Sequence, residues 1–172
     1  MIISVGGLVG GGKSTLARAL AERYGFEYIS IGHIMRDMAK ENGMSILEFS
    51  KLAETDPQID KELDKRQRHL ALGDCIVDSR LAAFVLKPDL KIWLTAPLGV
   101  RASRLASRDK KNSEEGLEEV REREASERKR YMDIYGYDLN DLSIYDLIIN
   151  TGLFDVKSTI QICSVAIDSQ RK

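Results

Sequence analysis

The chain has 172 residues, 43% of them hydrophobic, and a formal net charge of −1. One domain with a sizeable core is therefore the default, and a near-neutral balance supplies no global basic field to recruit nucleic acid or an anionic membrane. No apolar run approaches the ~20 residues of a membrane span, so a cytoplasmic protein without a membrane segment is expected.

A first strand is read over Ile2–Val5. It runs into the glycine-rich stretch Gly7-Leu8-Val9-Gly10-Gly11-Gly12-Lys13-Ser14-Thr15. Leu16, Ala17, Ala19, Leu20 and Tyr24 then recur at helical spacing. Glu27–Ile31 reads as the second strand, and Gly32 opens a helix that stops near Asn42-Gly43. Ser45 with Glu48 forms a candidate capping box for a short helix through Leu52. Asp56-Pro57 starts another helix, with Ile59, Leu63, Leu70 and Leu72 marking its buried side. Cys75–Val77, Leu90–Ala96 and Ile144–Asn150 are the third, fourth and fifth strands. A helix is expected from about Pro97, another across residues 118–134, and a closing one over Asp155–Asp168. Alternation of strand and helix predicts an α/β, three-layer fold: a five-stranded parallel sheet with helices on both faces, in a single domain over 1–172. Cys75 and Cys163 are expected as buried thiols, neither a bridge nor a metal pair. His33 and His69 have no ligand-spaced neighbours.

The stretch from Gly7 to Ser14 is Gly, four residues, then Gly-Lys-Ser, set between strand and helix. Such a bend frees several backbone N–H groups at a helix N-terminus, where the dipole favours anions, and its glycines bare the backbone to a phosphate. Lys13 would reach the β- and γ-phosphates and Ser14 would ligate Mg²⁺. The expectation is a nucleoside-triphosphate site of the P-loop type.

Many unrelated activities share that loop, so the rest of the chain must specialise it. Arginines supply the next signal. Arg36 follows strand two, Arg80 follows strand three, and Arg101, Arg104 and Arg108 lie along the helix after strand four. In an open α/β sheet ligands bind at the carboxyl ends of the strands, so Arg36 and Arg80 can border the same crevice as Lys13. A second, phosphate-bearing substrate needs such planar donors. For Arg36 and Arg101 a plain surface position is the alternative.

Residues 106–118 are almost wholly polar and suit a mobile lid over the phosphates, or else an ordinary solvated loop; residues 32–72 would form the acceptor-binding region. On the helix after the lid, Arg123, Glu127 and Arg130 share a stripe bordered by Val120, Tyr131 and Ile134, while Glu118, Glu122 and Lys129 lie opposite. The stripe should therefore face the protein body. Glu119–Arg123 and Glu124–Arg128 have the i,i+4 order of helix-supporting pairs.

Taken together, Gly7–Thr15, Gly32 through Arg36, Asp78-Ser79-Arg80, the Leu90–Leu94 strand before Arg101 and Arg104, and Arg123-x3-Glu127-x2-Arg130 resemble the cytidylate kinases among P-loop nucleoside monophosphate kinases. Arg130-Tyr131 and Tyr135-Gly136-Tyr137-Asp138 are similar to the compact archaeal branch. The resemblance runs from residue 1 to about Thr151. It implies transfer of the γ-phosphoryl of ATP to CMP or dCMP, in pyrimidine nucleotide metabolism, and contact of Glu127 with the ribose hydroxyls. Bacterial-type relatives continue their Asp-Gly-Arg with an Asp that reads cytosine, where this chain has Leu81. They also carry Asp where Glu127 stands. Phosphate handling carries over position by position; base recognition does not.

Roles follow from the chemistry itself. Phosphoryl transfer needs alignment and charge stabilisation, and an acceptor phosphate with a second pKa near ~6 needs no general base. Lys13 and the loop from Gly7 through Gly10, Gly11 and Gly12 to Ser14 and Thr15 would hold ATP. Ser14 and Asp78 would hold Mg²⁺, unless Asp78 is only a turn or cap residue. Arg36, Arg80 and Arg130 would hold the acceptor phosphate, and Arg104 and Arg123, with Lys13, would serve the transferring group. A monomer acting on small molecules is expected. Rival readings are an AMP or UMP kinase, a small-molecule alcohol kinase using Asp37 or Asp78 as base, and a nucleotide-dependent switch.

Overall fold

The computed structural model describes residues 1–171. Five strands, β1 (Ile2–Gly7), β2 (Glu27–Ser30), β3 (Cys75–Asp78), β4 (Leu90–Thr95) and β5 (Leu147–Asn150), form one parallel sheet in the order β2-β3-β1-β4-β5. Among the described residues eight helices connect and cover it: α1 (Lys13–Tyr24), α2 (Ile31–Glu41), α3 (Ile46–Ala53), α4 (Pro57–Leu70), α5 (Ala82–Val85), α6 (Leu98–Asp109), α7 (Ser113–Tyr135) and α8 (Val156–Gln170). The expected fold class is the observed one. Because β1 lies between β3 and β4, the loop leaving it opens onto the crevice where the strand order reverses.

Alternation along the strands sorts the core into two layers. Ile3, Val5, Ile76, Ile92 and Leu94 pack with Leu16 and Leu20 of α1 and with Cys163 and Ile167 of α8. Trp93 points the other way, into Leu81, Tyr131, Tyr137, Leu139 and Tyr145. The rings of Trp93 and Tyr145 lie 4.8 Å apart. Cys75 and Cys163 are buried free thiols, as expected.

Caps set most helix starts. Ser45 and Glu48 form the anticipated capping box, and Asp56 with Pro57 at the first turn opens α4. Several boundaries move. The second strand stops at Ser30, whose hydroxyl caps α2 by accepting from the His33 N–H. The fifth strand loses residues 144–146 to a turn that sends Tyr145 inward. The short helix α5 was not anticipated. On α4 the supposed buried positions Leu70 and Leu72 are exposed, Leu72 at 70%, because the helix ends at Leu70; Asp60, Asp64 and Gln67 are buried instead. Among the described residues no helix is long and apolar enough to cross a membrane.

Candidate active site

The loop from Gly7 to Gly12 takes a path open to few side chains. Gly10 has φ +75°, and a Cβ there would lie 2.3 Å from the Arg101 carbonyl oxygen; Gly12, at the N-cap of α1, has φ +92°. Both are positions where only glycine sits without strain. From behind, Arg101 Nη1 donates to the Val9 carbonyl at 3.1 Å and Nε to Ala96 at 3.0 Å, while Thr151 Oγ1 donates to Gly11 O at 3.0 Å. The Val9 and Gly11 carbonyls are thus engaged from behind, while the Gly11 N–H closes a turn on Leu8 O at 3.1 Å.

Lys13 Nζ donates to Leu8 O at 2.9 Å. Desolvation, with the Arg80 charge beside it, pushes the Lys13 ammonium down to about 7. Ser14 Oγ lies 2.5 Å from Asp78 Oδ2, which also accepts from Tyr28 OH at 3.2 Å and Ser30 Oγ at 3.3 Å. Asp78 closes β3 with its carboxylate aimed at the loop, so it is neither a turn nor a cap residue. One hydroxyl and one carboxylate at a helix N-terminus suit Mg²⁺, which takes few protein ligands and completes its shell with phosphates and water. Among the described residues there is no cluster of three His, Cys, Asp or Glu that could cage an ion.

A cavity of about 620 Å³ extends from this loop to α3, α4 and α7. It gathers most of the expected site residues: Val9 through Thr15, Arg36, Asp78, Arg80, Arg104, Arg123, Glu127 and Arg130. Gly7 and Leu8 do not border it. Gly7 lies against Leu94, and Leu8 packs beside the Trp93 cluster, contributing its carbonyl to Lys13.

Away from the loop the cavity is walled by ion pairs. Arg80 Nε is 2.9 Å from Glu127 Oε2, and Arg130 Nε is 3.0 Å from Asp60 Oδ2, with Arg130 Nη1 on the Ser50 carbonyl at 3.4 Å. The first two contacts are close charges whose N–H groups are not aligned for hydrogen bonds. Arg123 Nη1 meets Glu119 at 3.5 Å, and Lys111 holds the same carboxylate at 2.5 Å. As expected, Glu127 and Arg130 are buried and Arg123 is mostly so, whereas Glu118, Glu122 and Lys129 are solvated. Burial, and then the Arg108 charge, lowers the Arg36 pKa; burial likewise lowers that of Arg123. Cations crowded this way, and partly desolvated, wait for a polyanion. Arg104 donates to Thr151 Oγ1 at 3.0 Å and Thr151 O at 2.7 Å, beside Gly10.

The 106–118 segment is no extended loop. It is the last turns of α6, a three-residue link Lys110–Asn112, and the capping box of Asn112 with Glu115 that starts α7. Val9, Ala102, Leu105 and Val120 pack the two helices against the phosphate loop.

Three functional features escaped the sequence reading. Arg101 is buried and paired with Glu124 behind the loop, not placed on the surface; Glu124 had been matched only with Arg128, which stands 4.0 Å away. Thr151 links α6 to the loop. Asp60 and Asp64 line the far wall, with burial raising the Asp60 carboxyl to about 6 and Tyr135 OH bonded to Asp64. Their i,i+4 spacing beside Ile59 and Leu63 was the available signal.

Residues 2–153 match the sequence model of the cytidylate kinase-like family. The cytidylate kinase of Methanocaldococcus jannaschii is 48% identical over 178 residues, covering both chains completely. That of Pyrococcus horikoshii is 48% identical over 98% of this chain and 88% of its own. Among solved structures, shikimate kinase from Bacteroides thetaiotaomicron superimposes with a TM-score of 0.63 at 14% identity, over 98% of each chain, a likeness of fold alone.

Proposed function

The chain belongs to the cytidylate kinase-like family, and from that premise we propose that it transfers the γ-phosphoryl group of ATP to CMP or dCMP, giving ADP and CDP or dCDP. The observation that carries the reading is one cavity in which Lys13, at the N-terminus of α1, faces a second set of cations, Arg80, Arg123 and Arg36.

The loop amides and Lys13 hold the donor's phosphates, and its base lies toward Phe154 and Val156, the apolar edge of the cavity. Ser14 and Asp78 hold Mg²⁺, which would neutralise charge on the donor phosphates when bound. Arg80 and Arg36 clamp the acceptor phosphate and Glu127 takes the ribose hydroxyls, while Arg130, expected on that phosphate from the sequence, is instead held by Asp60 and the Ser50 carbonyl and closes the far wall. An oxygen of the acceptor dianion bonds to the γ-phosphorus as the β–γ bridging P–O bond breaks, the electron pair leaving on ADP. No proton need be taken from the nucleophile, so no general base is required. Lys13, Arg104 and Arg123 stabilise the charge on the transferring group as residues 106–118 close over it.

ADP release measured with CMP, dCMP, UMP, AMP, GMP and shikimate tests this directly. CMP or dCMP should be the best acceptor. Turnover of an alcohol alone would replace the reaction class, and preference for AMP would replace the substrate.

A further inference from the structure

We propose that Asp60, backed by Arg130, reads the base of the acceptor, its carboxylate taking the exocyclic amine of cytosine. The proposal rests on the CMP reading above and adds the specificity-determining group that Leu81 does not supply.

Position comes first. Arg123 shares its surroundings with Arg80, Glu127 and Arg108, at the phosphate end of the cavity. Arg130 lies seven residues farther along the same helix, a rise of about 10 Å. That distance matches the reach of phosphate, ribose and pyrimidine laid along α7. Glu127 stands between the two arginines, where the sugar would pass. The base therefore arrives at Asp60 and Arg130.

The state of Asp60 comes second. It is 2% exposed, it borders the cavity, and its Oδ2 accepts no aligned hydrogen bond although Arg130 Nε is 3.0 Å away. A buried carboxylate oxygen without directional donors is costly, and such atoms in folded proteins usually have a partner. Asp64, by contrast, already accepts from Tyr135. Of the two aspartates on this wall, Asp60 is therefore the one with acceptor capacity to spare.

Chemical complementarity comes third. A carboxylate beside a guanidinium presents an acceptor next to a donor. Cytosine offers the matching edge, an amine donor next to the N3 acceptor. Uracil reverses both, placing O4 against the carboxylate and N3–H against the guanidinium. Leu63, Leu81 and Ile46 supply apolar lining for the ring.

The test compares three acceptors on the wild-type enzyme: CMP, UMP, and the 2-pyrimidinone ribonucleoside monophosphate, which lacks the amine. Removing the amine should lower kcat/KM about 10- to 100-fold, the worth of one hydrogen bond to a charged group. In Asp60→Asn that difference should shrink to about threefold or less while KM for ATP stays put, and Asp64→Asn should preserve it. Wild-type indifference to the amine overturns the proposal, even if the variant fails to fold. So does Asp60→Asn lowering all three acceptors equally, which would make Asp60 only a holder of Arg130. So does a selectivity change in Asp64→Asn alone. Absence of turnover with every pyrimidine monophosphate would instead remove the CMP reading beneath it.

Discussion

On the proposed reading, the two ends of the cleft grip phosphate by different means. At the donor end the main chain does the holding: Gly10 and Gly12 let the loop curl, and Arg101 and Thr151 pin its carbonyls from behind. At the acceptor end side chains would do it, and two of them are already engaged by carboxylates, Arg80 by Glu127 and Arg123 by Glu119, as Arg130 is by Asp60 on the adjoining wall. A backbone cradle comes with the fold and depends on whatever keeps the loop in shape. A side-chain cradle must be assembled from α3, α4, α7 and the end of β3, and its charges must be balanced while no ligand is there. The first end should therefore fail through distant structural damage, the second through local changes of charge and geometry.

The sharpest test of the donor end is made outside the cavity. Removing one partner of a buried ion pair leaves the other charge uncompensated, at a cost of about 3–5 kcal/mol. Arg101 and Glu124 are such a pair. Glu124→Ala should lower the urea unfolding free energy by about that amount, while Glu122→Ala on the exposed face should stay within about 0.5 kcal/mol. Equal, small losses would mean that the loop does not rely on Arg101, and the contrast between the ends would weaken.

Within the loop, Lys13→Ala removes the amine that would carry charge beside the phosphates, together with its hydrogen bond to Leu8 O. By analogy with loss of an oxyanion donor, it should cost about 3–4 kcal/mol in the transition state, two to three orders of magnitude in kcat, with the unfolding midpoint unchanged. Retention of more than about a tenth of wild-type kcat would take Lys13 out of the reaction.

The same division explains what could be read from the sequence. Gly7 to Ser14 is consecutive, so its geometry is local and legible. The parallel sheet and its layers followed from alternation of strand and helix; the strand order did not. Arg123, Glu127 and Arg130 were legible because they lie on one helix. Arg101 was not, although it sits in register with Leu98 and Leu105 on the apolar face of α6, a position where a charge must find a buried partner. That partner, Glu124, occupies the same register four residues after Val120. Asp60 and Asp64 were passed over because Leu70 and Leu72 were taken to mark the inner side of α4, yet the helix ends before they can turn inward. Pairings between elements distant in sequence leave only such one-sided traces.

At the acceptor end, geometry should matter as much as charge. Arg80→Lys keeps the cation but loses the planar fork, so kcat/KM for CMP should fall nearly as far as in Arg80→Ala, about 10- to 100-fold. Glu127→Gln should raise KM for CMP within the same range and leave KM for ATP almost unchanged, with Glu122→Gln as the inert control. Because Arg80 and Glu127 touch, their effects should be non-additive in a double-mutant cycle. Additive effects, or a normal Arg80→Lys enzyme, would reduce this wall to a salt-bridged surface and move the acceptor elsewhere.

The smallest expected effect asks whether the backbone end is charge-neutral when empty. With its ammonium lowered to about 7 by desolvation and by Arg80, Lys13 is largely uncharged in the free protein at pH 8. Triphosphate arriving beside it favours the charged form and raises that pKa, so binding must take up a proton. Below pH 7 Lys13 is already protonated and no uptake is expected. Above pH 7, and up to the raised pKa of the complex, ATP affinity should fall by at most about tenfold per pH unit. Between pH 8 and 9 ATP itself is fully ionised, so its own titration does not interfere. Calorimetry at pH 8 in buffers of different ionisation enthalpy gives the proton count, which should approach one in the wild type and vanish in Lys13→Ala. A wild-type count near zero would mean that Lys13 keeps its charge in the empty cleft, and that the donor end, like the acceptor end, stores cations in advance of its ligand.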